Sequence, residues 1–112
     1  IQREDWTPAM ESFAEWTKTI AKLLVNLDIT VSYVKASGNI SATYGSSRVT
    51  FNVKVLGKAF FSRGEKQLEL IIHELGHIYS GDHLSDSYHA GLCKLGARLA
   101  TVAIQNPEVF RF

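Results

Sequence analysis

Apolar residues recur at three- and four-residue spacing early in the chain. Phe13, Trp16, Ile20, Leu23, Leu24 and Leu27 share one side, and Glu11, Glu15, Lys18 and Lys22 occupy the rest of the cylinder. That period is the period of an amphipathic surface helix. Thr7-Pro8 supplies a start, since Thr caps the first turn and Pro at the first helical position gives up no hydrogen bond. Its end is predicted near Asn26. The pattern then changes to alternation in Ile29, Val31 and Tyr33, so residues 29–34 read as a strand, broken by Ser37-Gly38-Asn39. Residues 40–44 and 48–55 are two further strand-like runs, joined by Gly45-Ser46-Ser47, the composition of a hairpin turn. A small, mainly antiparallel three-stranded sheet is expected.

Helical spacing returns with Leu68, Ile71, Ile72, Leu75, Ile78 and Tyr79. Ser62-Arg63-Gly64-Glu65 ahead of them has the Ser-x-x-Glu form of a capping box, and Ser80-Gly81 offers a stop. A third helix is predicted from about His83 or Asp86 to Gln105, closed by Asn106-Pro107. Its stripe is Leu84, Tyr88, Leu92, Leu95, Leu99 and Val102. The neighbouring strip of His89, Cys93, Gly96, Ala97 and Ala100 is mostly small, as expected where another backbone comes close. Helix, three strands, helix, helix is the order of a small α+β domain. The 112 residues, 46% of them hydrophobic, fit one domain spanning residues 1–112, with a modest core and no second lobe.

Twelve Lys and Arg against eleven Asp and Glu leave a formal charge of +1, too balanced for a nucleic-acid face or an anionic-lipid surface. No apolar run approaches membrane-spanning length. The single cysteine, Cys93, has no partner within the chain, so a cytoplasmic setting is expected.

The strongest chemical signal is His73-Glu74-Leu75-Gly76-His77, the His-Glu-x-x-His pattern. Four residues apart on a helix, His73 and His77 project from one face and can reach a single ion, expected to be Zn²⁺. That face is expected to lie opposite the Leu68, Ile72, Leu75 and Tyr79 stripe. Glu74 is rotated about 100° from His73, which sets it beside the ion as a general base toward metal-activated water. Catalytic zinc normally takes three protein ligands and leaves a fourth position open. His83, Asp86 and His89 all follow within twelve residues of His77. His83 gives the spacing H-E-x-x-H-x-x-x-x-x-H. His89 would sit inside the third helix, and Asp86 would either ligate or orient an imidazole.

At these residues the chain resembles a small zincin-type peptidase module. It is similar to short gluzincin-like and ImmA-like peptidases. The metzincin pattern fits less well, because its glycine is displaced by one residue to Gly81 and the only methionine, Met10, lies far upstream. The tract from Val49 to Gly57, the motif itself, Gly81-Asp82-His83-Leu84-Ser85 and Leu95-Gly96-Ala97-Arg98-Leu99 also resemble a C-terminal segment of bacterial histidine-kinase/Hsp90-like ATP-binding proteins. That resemblance implies His83 as the third ligand and a domain excised from a longer chain with flanking domains as partners; the sequence holds no phosphate-cradling glycine motif, so ATP binding is not expected of this chain. The zincin plan further implies a peptide or protein substrate laid along an antiparallel edge strand, for which residues 48–55 are the expected segment. A catalytically inactive zinc-binding module, structural or sensing, is the alternative expectation.

Overall fold

A computed structural model describes residues 1–112. Helix α1 spans Pro8–Val25. Its start is the one the sequence predicts, for Thr7 Oγ1 accepts the Met10 N–H at 3.1 Å. It ends at Asn26, whose φ of 54° lies in the left-handed region that Asn tolerates better than most residues. The face that α1 buries carries Met10, Phe13, Trp16, Ile20 and Leu24.

Three strands follow: β1 (Thr30–Val34), β2 (Ala42–Gly45) and β3 (Arg48–Asn52). The sheet order is β1-β3-β2. β2 and β3 are antiparallel, with Gly45 opposite Arg48, so Ser46 and Ser47 alone form the hairpin loop. Both residues are left-handed, at φ of 51° and 57°, as a two-residue hairpin of type I′ requires. β1 pairs with β3 in parallel, from Thr30 opposite Arg48 to Val34 opposite Asn52. The sheet is therefore mixed, where a mainly antiparallel one was expected. The reason lies in residues 35–41, a connection long enough to step over the C-terminal end of β3. Asn52 pins that crossing. Its Oδ1 accepts the Ala36 N–H at 3.1 Å, and its Nδ2 donates to Ala36 O and Ile40 O, each at 3.0 Å.

The same side chain ends the strand early. Asn52 Oδ1 also accepts the Lys54 N–H at 3.2 Å, which turns residues expected to continue the strand into the short helix α2 (Val53–Leu56). After a 3₁₀ turn comes α3 (Glu65–Gly76), and then α4 (Asp86–Gln105). The Ser62–Glu65 capping box does not form, because the residue capping α3 is Gly64 and Glu65 is already its first helical residue. α4 begins at Asp86, the later of the two expected starts, with Ser85 Oγ accepting the Tyr88 N–H at 3.1 Å. It buries Tyr88, Gly91, Leu95 and Val102, and leaves the small strip from His89 to Ala100 facing solvent. The close approach falls instead at Gly91, over which the Tyr79 ring lies. Leu84 stays outside the helix and is 88% exposed.

One core lies between α1, the sheet, α3 and α4. Its centre is aromatic: Phe13 meets Phe51 at 5.2 Å and Phe61 at 5.4 Å, and Tyr33 meets Phe61 at 5.2 Å, all edge to face. The architecture is the expected α+β class. No helix is long and apolar enough to cross a membrane.

Candidate metal centre

α3 loses its regular ladder just where the motif needs reach. The N–H of His77 bonds Glu74 O at 3.1 Å, that of Ile78 bonds Leu75 O at 3.1 Å, and that of Tyr79 bonds Gly76 O at 3.0 Å. These are three-residue steps, so the last turn is wound tighter than an α-helix. His73 projects from the helix proper, His77 from its cap, and His83 from the loop leading to α4. Core burial along α3 is greatest at Ile71, Glu74, Leu75 and Gly76. The predicted apolar stripe is thus shifted: Leu68 and Ile72 are half-buried and Tyr79 is exposed.

The loop brings the three imidazoles together. One ring nitrogen from each of His73, His77 and His83 lies within 4.8 Å of the others. Nε2 of His83 stands 3.0 Å from Nε2 of His73. Zinc bonds to imidazole nitrogen of 2.0–2.1 Å at tetrahedral angles separate the ligand atoms by about 3.3 Å, so the His73–His83 pair already stands near that spacing and the widest pair would close by up to about 1.5 Å around such an ion. His77 Nδ1 faces Ser80 O at 3.1 Å, an arrangement that holds the ring and leaves Nε2 its lone pair. Three histidine nitrogens are one of the donor sets that can hold a catalytic zinc.

Burial, with the neighbouring His83 and His77 adding to it, holds His73 below the ordinary histidine range and so favours the uncharged ring. Glu74 is 3% exposed, and its carboxylate lies 3.9 Å from His73 Nε2. Burial raises its proton affinity above the usual carboxylate range, with His77 partly opposing the rise. A carboxylate so raised is a better general base near neutral pH.

A cleft of about 820 Å³ opens from the histidines, within the size range of small-ligand sites. One wall is β2 with the residues leading into it, the other is the N-terminal half of α3, and Tyr44, Leu56, Phe60 and Leu70 line it. The edge strand is therefore β2. β3, which covers most of residues 48–55, lies at the centre of the sheet with both sides paired and cannot accept an added strand. Of the residues singled out from sequence, His73, Glu74, His77 and His83 meet here. Asp86 and His89 stand exposed on the first turn of α4, outside the cluster. The cleft walls were not foreseen. Lys66, Leu70, His73 and His77 follow one another at three- and four-residue spacing, so a helical wheel extended toward the start of α3 carries the signal for one wall. Searches against family models, curated proteins and solved structures yield no match to this chain.

Proposed function

We propose that this chain is a zincin-type, zinc-dependent peptidase domain acting on extended peptide or protein segments. The observation that carries the reading is the gathering of three imidazole nitrogens within 4.8 Å beside the buried Glu74. When bound, zinc supplies Lewis acidity toward a carbonyl oxygen and makes a water acidic near neutral pH. The Glu74 carboxylate takes a proton from the attacking water as its oxygen bonds to the scissile carbon. It then delivers that proton to the leaving nitrogen as the C–N bond breaks. The free edge of β2 offers backbone groups to align an extended chain. The apolar lining of the cleft favours a bulky apolar side chain near the cut. A single exposed cysteine is consistent with a reducing, cytoplasmic setting.

Protein expressed with zinc should carry about one equivalent by elemental analysis, and less than about half an equivalent defeats the proposal. His83→Ala should lose the metal and His89→Ala retain it. On a mixed peptide library, Glu74→Gln should keep zinc while cleavage falls by at least about 100-fold. Stoichiometric zinc with no cleavage by the unaltered chain favours a non-catalytic zinc module instead.

A further inference from the structure

We propose that Tyr88 is the positioning residue of the histidine cluster, acting on the ligands through its ring and its hydroxyl without touching the ion. The inference rests on the zinc reading above.

The tightened end of α3 has a cost. An α-helix would give the His73 carbonyl to the N–H of His77, but that N–H bonds Glu74 O instead. The freed carbonyl of a ligand residue is taken by Tyr88, whose hydroxyl donates to His73 O at 2.9 Å. The ring of Tyr88 meanwhile lies against all three imidazoles, with centroids 5.2 Å from His77, 5.2 Å from His83 and 6.0 Å from His73. Only 3% of Tyr88 is exposed, so the ring forms a packed floor under the cluster. Gly76 makes room for it: a methyl group there would stand 2.7 Å from Cε2 of Tyr88.

The backbone of Tyr88 belongs to the same assembly. Its N–H donates to Ser85 Oγ at 3.1 Å, Ser85 Oγ bonds Ser80 Oγ at 2.9 Å, and Ser80 O faces His77 Nδ1 at 3.1 Å. The side chain therefore reaches each ligand, His73 through the hydroxyl on its carbonyl and His77 and His83 through ring contact, while the backbone N–H caps α4 and would do so with any residue at this position. An ordinary core tyrosine needs one partner for its hydroxyl and nothing from the imidazoles.

Tyr88→Phe keeps the floor and removes the hydroxyl, whereas Tyr88→Leu removes both. Zinc affinity is measured by competition with a chromophoric chelator, ligand geometry by the visible spectrum of the cobalt-substituted protein, and folding by urea denaturation of the zinc-free forms. Tyr88→Phe should bind zinc about tenfold more weakly with the spectrum of the unaltered protein. Tyr88→Leu should bind about 100-fold more weakly with an altered spectrum. If Tyr88→Phe binds zinc within about twofold of the unaltered chain while only its urea midpoint falls, the residue is core packing and the inference is overturned; this arm stands even if Tyr88→Leu fails to fold. An unaltered chain that takes no zinc defeats the metal reading itself, a result distinguishable from the failure of Tyr88 alone.

Discussion

The phenol of Tyr33 is 1% exposed and donates to Met10 O at 2.8 Å, which ties β1 to the first turn of α1. Burial, helped by the charge of Glu11, pushes its pKa well above the ordinary tyrosine value. A phenol that ionises less readily folded than unfolded contributes stability that is fully present below about pH 10 and lost as pH rises beyond it. Urea titrations across alkaline pH should therefore show stability falling above about pH 10. In Tyr33→Phe that fall should shrink, at a cost of about 1 kcal/mol at neutral pH from the lost hydrogen bond. A pH profile unchanged by the substitution would count against this account. At this scale the motif residues were legible, because helical spacing alone puts His73 and His77 on one face. His83 was one of three choices, since only the course of the 77–85 loop decides which side chain returns to the pair. Tyr88 was legible merely as an apolar stripe position, because nothing local reveals which carbonyl its hydroxyl will meet.

The boundaries of α1 could be read from sequence, because Thr7 and Asn26 act on backbone within a few residues of themselves, whereas the start of α4 stays open between His83 and Asp86 until the Ser85 hydroxyl is found on the Tyr88 N–H. The direction of β1 against β3 could not be. It depends on where the 35–41 connection lands, and Asn52 fixes that from across the sheet. α4 carries a contrast that tests its packing. An alanine at Gly91 would overlap the Tyr79 ring, whereas one at Gly96 would meet nothing within 4 Å. Gly91→Ala should therefore lose about 1–3 kcal/mol of unfolding free energy, and Gly96→Ala should gain about 0.5–1 kcal/mol from higher helix propensity. Urea denaturation of the two variants measures both values. Effects of the same sign would mean that α4 is rotated from the orientation described.

For the molecule as a whole, sequence bounded the size and the single core, but the cleft escaped it. Its walls, β2 and α3, are separated by about twenty residues and meet only in the folded chain. On the proposed zinc reading, free metal at a hundred times its dissociation constant adds about 2.7 kcal/mol of stability. For a domain of this size that raises the melting midpoint by about 10 °C. Thermal scans with zinc and with a chelator measure the difference, and coincident curves would weigh against metal binding. The three histidines of the cluster fall between positions 73 and 83, so the loop a metal would close is short even when nothing else is folded. Closing a short loop costs little chain entropy. The denatured chain therefore keeps a claim on zinc of its own, and the observed midpoint shift should fall short of the ideal by the amount the unfolded state binds.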